Sequence, residues 1–327
     1  MSETPAGFAH LHHGYAVVFP GQGSQFLGMG LSLARESDIA KRVWAEANDV
    51  LGFEISEIAW AGPAAQLDET SISQPAIFTA SMAAMMAFRA ALVQHGHPFQ
   101  PRVVAGHSLG EFSALVAAEV LEFPTALRIV QERGRLMKEA GASSPGGMAA
   151  VLGLERDQLA QICAEASSVG VIVLANDNCP GQSVISGEVA ALEVAMEACK
   201  AAGAKRVTRL GISIASHSPL MADASAKLQE MIAKAEIKDP RYPVVANASG
   251  ALLTSADEVR AELTHHMELP VNWTASVQTM VAEGAKAIID IGPGQVLAGL
   301  VKRIDREVPT LGMTDFGFPA EEKVAAE

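Results

Sequence analysis

The feature that most narrows the possible folds is a recurring unit, a short apolar run halted by a glycine turn. Tyr15 to Phe19 stops at Pro20-Gly21, Val103 to Ala105 at Gly106, and Ala287 to Ile291 at Gly292-Pro293-Gly294. Runs of this length that are apolar on both faces read as buried strands, and helical periodicity follows the first two, through Trp44 and Val50 and again from Leu109. Strands that alternate with helices imply a mainly parallel sheet covered on both sides, an α/β fold. Apolar residues make up 49% of the chain, which fills such a core and argues against disorder.

A helix is expected from Pro75 to about Gln94, ended by His95-Gly96-His97-Pro98, and another from Phe123 to Glu139, broken by Gly141, Pro145, Gly146 and Gly147. Beyond that break the pattern changes. Met148 to Leu152 reads as a strand, Arg156 to Ser167 as a helix, Val171 to Leu174 and Ser183 to Ser186 as strands, Val189 to Ala202 as a helix and Lys205 to Leu210 as a strand. The order βαββαβ is that of a ferredoxin-like unit. After Gly211 longer helices return, with a strand near Val244. A chain of 327 residues exceeds what most single cores support. Residues 15–140 and 212–312 are therefore expected to form a large α/β domain, with 141–211 inserted as a small ferredoxin-like one. Residues 1–14 read as a disordered tail and 313–327 as a polar tail.

Acidic residues number 37 against 24 basic, a net charge of −13, which excludes phosphate-backbone binding as the main business of the surface. Cys163, Cys179 and Cys199 are odd in number and lack C-x-x-C spacing, so they read as buried, reduced thiols and suggest neither a disulfide framework nor a metal site. The most membrane-like stretch, Ala76 to Val93, carries Arg89, Thr79 and Ser81 and reads as a core helix. The opening residues lack the basic start and apolar segment of a secretory signal, so a cytoplasmic location is expected.

Gly106-His107-Ser108-Leu109-Gly110 matches G-x-S-x-G between an expected strand and an expected helix. That is the setting a nucleophile elbow requires: small flanking residues allow the backbone to pass close to itself, and the turn raises the serine Oγ to the carboxyl edge of the sheet. A serine that merely caps the helix is the plainer alternative. The elbow would offer the N–H of Leu109 to a developing oxyanion. A serine hydroxyl needs a base within reach, and nine histidines compete for that part. His10, His12 and His13 lie in the expected tail, His95 and His97 in a loop, and His107 adjoins the serine too closely to turn toward it.

The longer string Gly106-His-Ser-Leu-Gly-Glu-Phe-Ser-Ala-Leu115 resembles the signature of the malonyl-CoA:acyl carrier protein transacylases. The resemblance extends from Phe19-Pro-Gly-Gln-Gly-Ser-Gln25 through Asn178-Cys-Pro-Gly-Gln182 to Ile291-Gly-Pro-Gly294. It implies an α/β-hydrolase-like core with a ferredoxin-like insert, in agreement with the element order above. It also implies Ser108 as nucleophile and His217, in Ala215-Ser-His-Ser-Pro219, as its base. Gln22 is implied as a second oxyanion donor beside Leu109, and Arg133 as the cation that holds the free carboxylate of malonyl, a task suited to a planar guanidinium fork. No acidic residue in a matching motif completes a triad. In the family a backbone carbonyl near a glutamine orients the base, and His266 stands at that glutamine position in Leu263 to Trp273.

The resemblance implies transfer of malonyl from CoA to the phosphopantetheine thiol of an acyl carrier protein through a serine acyl-enzyme, as in fatty acid biosynthesis. CoA is then a substrate, and neither a metal nor another cofactor is needed. A polyketide-synthase acyltransferase using malonyl or methylmalonyl stays open, as do a serine thioesterase and a silent carrier-binding scaffold. The expected partners are malonyl-CoA and the carrier, received by a basic patch of Lys200, Lys205, Arg206 and Arg209. Neither nucleic acid nor membrane is expected, and a monomer is favoured.

Overall fold

The computed structural model describes residues 4–324. Its strands are β1 (Ala16–Phe19), β2 (Val103–Gly106), β3 (Gly146–Leu152), β4 (Ile172–Cys179), β5 (Gln182–Glu188), β6 (Arg206–Arg209), β7 (Val244–Val245), β8 (Leu252–Leu253), β9 (Val271–Asn272), β10 (Ile288–Asp290) and β11 (Thr310–Leu311). Two sheets share them. The first has the order β11-β10-β1-β2-β7-β8, with β8 alone antiparallel. Strands β1 and β2 are buried along their whole length, as their unbroken apolar sequence requires. Phe19 pairs with Gly106, so the two glycine turns leave the sheet side by side at its carboxyl edge.

The second sheet has the order β6-β3-β5-β4-β9. Strands β3 to β6 with the helices Arg156–Ala166 and Val189–Ala201 make the expected ferredoxin-like βαββαβ unit, antiparallel throughout. Strand β9 adds a parallel fifth strand, although it lies far downstream, and so ties the later half of the chain to this sheet. A separate cluster of Ala149, Val151, Leu159, Ile172, Ile185, Leu192 and Cys199 forms the core beneath.

Several expectations need correction. The helix from Phe123 runs to Ser143, straight through Gly141, which is a packing residue: a Cβ there would lie 2.7 Å from Ile214 and 2.9 Å from the Ser213 carbonyl. The junction of the two units therefore falls after Ser143. The helices beyond Gly211 are shorter than expected, and the longest, Ala222–Ile232, has 11 residues. Residues 1–14 are not a disordered tail where described. Ala6–His13 forms 3-10 turns, Phe8 is buried, and its ring stacks on His95 at 4.2 Å and meets Phe316 edge-on at 5.3 Å. The polar tail is also docked, since Phe316 is buried and Glu321 accepts from the Gly294 N–H at 3.0 Å.

Thr70–Gln94 is the one helix among the described residues long and apolar enough to cross a bilayer, and it lies largely inside the core. All three cysteines are free and buried.

Candidate active site

Ser108 opens the turn between β2 and the Gly110–Ala117 helix with φ of 49°, in the left-handed region. Crowding explains the flanking glycines. A Cβ on Gly106 would sit 1.9 Å from the Gly110 carbonyl, and one on Gly110 would sit 2.1 Å from the Phe19 oxygen. The first glycine turn presses on the same place: a Cβ on Gly21 would lie 2.4 Å from the His107 oxygen. Gln22 is thereby brought beside the elbow, and among the described residues neither its N–H nor that of Leu109 donates to a protein acceptor.

His217 also has a positive φ, 55°, and it and Ser108 are two of the three non-glycine residues in that region among the described residues. Strain of this kind costs about 1–3 kcal/mol per residue and persists only where surroundings enforce it. The Met267 carbonyl enforces it here by accepting from the His217 N–H at 2.8 Å. The imidazole then lies between two oxygens. Its Nε2 is 2.8 Å from Ser108 Oγ and its Nδ1 is 2.8 Å from the Leu269 carbonyl. That carbonyl accepts only from a protonated Nδ1, so a neutral ring keeps Nε2 free to accept the serine proton.

Burial, then the positive charge of Arg133, push His217 well below its usual pKa, so the ring is neutral at physiological pH. Arg133 is 1% exposed. Its Nη1 donates to Gln74 Oε1 at 2.8 Å and its Nη2 to Ser108 Oγ at 3.0 Å, while Nε has no protein partner among the described residues. Burial lowers its pKa to about 10, which leaves it charged at neutral pH. A buried cation with an unused donor beside a serine oxygen is a place for an anionic group.

Ser108, His217, Arg133 and Gln22 line one cavity of about 430 Å³, walled on the small-sheet side by Met148, Val184, Leu210 and Ile212. A serine with a neutral base and a guanidinium in such a cleft is equipped for nucleophilic attack on an acyl group that carries a negative charge.

A backbone carbonyl of the stretch Leu263 to Trp273 orients His217, but not at His266 itself; Leu269, three residues on, supplies it. The His266 side chain instead lies behind the elbow, its ring centre 6.4 Å from that of His217 and its Nε2 3.0 Å from Glu111 Oε2. Burial pushes it down to about 3, so it is neutral. His107 turns away from the serine and meets Asn178 Oδ1 at 2.8 Å. Of the expected basic patch, Lys200 pairs with Glu197 at 2.6 Å and Arg209 with Glu193 at 3.5 Å, which leaves Lys205 and Arg206 without acidic partners among the described residues.

Sequence reasoning missed Gln74, which joins Arg133 to Gln22: its Nε2 donates to Gln22 Oε1 at 3.3 Å. It missed Asn247 as well, whose Oδ1 accepts from the Ser108 N–H at 2.7 Å. Gln74 left a signal, a side-chain amide within the long apolar helix Thr70–Gln94, where other buried polar groups, among them Ser73, Thr79 and Ser81, are small hydroxyls.

Residues 16–313 match the model of the acyl transferase domain family. The malonyl CoA-acyl carrier protein transacylase of Escherichia coli O157:H7 is 42% identical over 96% of this chain and 99% of its own. The crystal structure of an acyl carrier protein S-malonyltransferase from Vibrio cholerae superposes with a TM-score of 0.86 at 40% identity, covering 91% of this chain and 96% of that one. A malonyl-transacylase in complex with its type II polyketide synthase acyl carrier protein superposes at 0.87 and 40% identity, covering 91% and 95%. With a family match across nearly its whole length and such identity to these enzymes, the chain belongs to the acyl transferase family, among its malonyl-CoA:acyl carrier protein transacylases.

Proposed function

We propose that this protein moves a malonyl group from CoA to the phosphopantetheine thiol of an acyl carrier protein by a ping-pong route through Ser108. One observation carries the reading: Ser108 Oγ lies 2.8 Å from His217 Nε2 and 3.0 Å from Arg133 Nη2. In the first half-reaction His217 takes the serine proton as Oγ attacks the thioester carbonyl. The N–H groups of Leu109 and Gln22 receive the oxyanion. As the tetrahedral intermediate collapses, the C–S bond breaks, His217 returns the proton to the CoA sulfur, and the acyl-serine remains. The second half-reaction runs the same steps in reverse with the carrier thiol as nucleophile.

Arg133 pairs with the distal carboxylate of malonyl, in place of its contact with the serine oxygen. Gln74 holds Nη1 and so keeps the remainder of the fork for the ligand. Thioester exchange is nearly balanced, so the scheme calls on no metal or bound cofactor, and CoA enters as substrate. Fatty acid synthesis is the assigned pathway. A relative of equal identity serves a polyketide carrier, which keeps a polyketide partner as the second reading. The buried, unpaired thiols suit a reducing cytoplasm.

Intact-protein mass spectrometry after mixing with malonyl-CoA, followed by addition of holo-carrier, tests the scheme. A malonyl adduct on Ser108 that the carrier removes is the expected result. Release of free malonate without carrier would identify a thioesterase, and absence of any adduct a scaffold.

A further inference from the structure

The acyl-transfer scheme uses the Oγ of Ser108 and the amide that follows it, but neither group holds that residue in a conformation L-residues avoid. Asn247, 4% exposed, reaches the elbow from the turn after β7. Its Oδ1 accepts from the Ser108 N–H at 2.7 Å. Its Nδ2 donates to the Gly106 carbonyl at 2.8 Å and to Glu111 Oε2 at 2.5 Å. One side-chain amide thus spans both ends of the strained turn and the first turn of the helix beyond it. The clamp is itself anchored, because the Asn247 carbonyl accepts from the Asn272 N–H at 2.8 Å, in the strand that follows the Leu269 loop.

The Leu109 N–H lies in the same planar peptide unit as the Ser108 carbonyl. Asn247 holds the two preceding peptide units through the Gly106 carbonyl and the Ser108 N–H, and the Glu111 N–H, which donates to the Ser108 carbonyl at 3.0 Å, holds this one, so that together they set where the Leu109 N–H points. We propose that Asn247 is a positioning residue for acyl transfer, which clamps the Gly106–Glu111 elbow so that Ser108 Oγ and the Leu109 amide face the reacting carbonyl. The inference rests on the reading of Ser108 as acyl acceptor.

The partner beneath Asn247 suits this work. Burial pushes the Glu111 carboxyl up to about 8, so at neutral pH it is mostly the uncharged acid and accepts from Nδ2 without placing a negative charge under the nucleophile. Asn247 does not line the substrate cavity. Its loss should therefore disturb the chemical step more than substrate capture.

The experiment compares wild type, Asn247→Ala and Asn247→Asp in the full chain. It measures single-turnover malonylation of Ser108 by quenched-flow intact mass, together with steady-state kcat and KM for malonyl-CoA. Asn247→Asp keeps the size and the acceptor for Ser108 N–H but loses the donors to Gly106 and Glu111. A small displacement of reacting groups costs about a hundredfold. Asn247→Ala should accordingly lower the acylation rate by about that factor with KM within about threefold, and Asn247→Asp, whose second oxygen would face two acceptors, should lower it by at least as much.

If both variants acylate at a rate within about twofold of wild type per folded molecule, whatever their melting temperatures, Asn247 is only a satisfied core amide and the proposal is overturned. Should Asn247→Ala fail to fold, Asn247→Asp decides by the same criterion. A wild-type chain that is never acylated at Ser108 would overturn the acyl-transfer reading itself, a result visible before any substitution is made.

Discussion

Replacing Arg133 with alanine should turn a malonyl-selective site into one that prefers neutral acyl groups. The structure sets the size of the effect. Arg133 makes one hydrogen bond to Gln74 and one to Ser108 Oγ, and its Nε has no partner among the described residues, so a malonyl carboxylate would gain Nη2 and Nε as donors. A hydrogen bond to a charged group contributes about 1.5–3 kcal/mol, which corresponds to roughly a 10- to 150-fold loss of malonyl transfer when the guanidinium goes. Acetyl has no carboxylate to lose, and a buried cation without a partner opposes an apolar ligand, so acetyl loading should hold or improve. The malonyl-to-acetyl ratio should therefore fall by at least the malonyl factor. Lysine should restore little, because it lacks the planar fork. The assay is intact-mass measurement of initial acylation with each CoA ester under identical conditions. An unchanged ratio would refute the argument and make Arg133 a structural residue of its helix.

Ser108→Ala should abolish the acyl adduct while the fold persists, and His217→Ala should slow acylation by about a hundredfold or more, the usual scale of general-base help; a larger effect of His107→Ala or His266→Ala would refute the assignment of the base. His217 sits well below its usual pKa because of burial and of Arg133, so the neutral base survives to lower pH, and acylation should stay level as pH falls through 6.5. Arg133→Ala removes one of those causes, so its acid limb should move toward higher pH; a pH–rate profile on an acetyl substrate checks both statements. With Lys200 and Arg209 paired to glutamates, reversing Lys205 and Arg206 to Glu should weaken transfer to the carrier and spare acylation from CoA, and equal effects on both half-reactions would sink the docking role.

The legible parts of this protein are those whose physical cause is local. An apolar run that ends in glycine marks a buried strand, and Gly106 is demanded by contacts within a turn of a few residues, so β1, β2 and the elbow could be read directly, whereas the reason for Gly110, the approach of Phe19, is visible only in the fold. His217 and Arg133 could be singled out only through the family pattern, since a histidine in a turn or an arginine on a helix has no local mark of function. The family pattern placed the orienting carbonyl within Leu263 to Trp273 but could not single out Leu269, because every residue carries a carbonyl and only the path of the loop selects one. Asn247 is 139 residues from the amide it receives, and the two-residue strands β9 and β11 exist only because a neighbour is already in place. Gly141 misled because glycine serves both as helix stop and as contact point, a choice that the approach of Ile214 decides. Gln74 is the instructive case. Burying an amide without partners costs about 1–3 kcal/mol by mutational measures, so a glutamine inside an apolar helix required bonds from elsewhere. Its amide oxygen meets Arg133 and its nitrogen meets Gln22. A large amide in an apolar helix, unlike the hydroxyls of Ser73, Thr79 and Ser81 beside it, is thus a place where a sequence alone can point to a site without naming its partners.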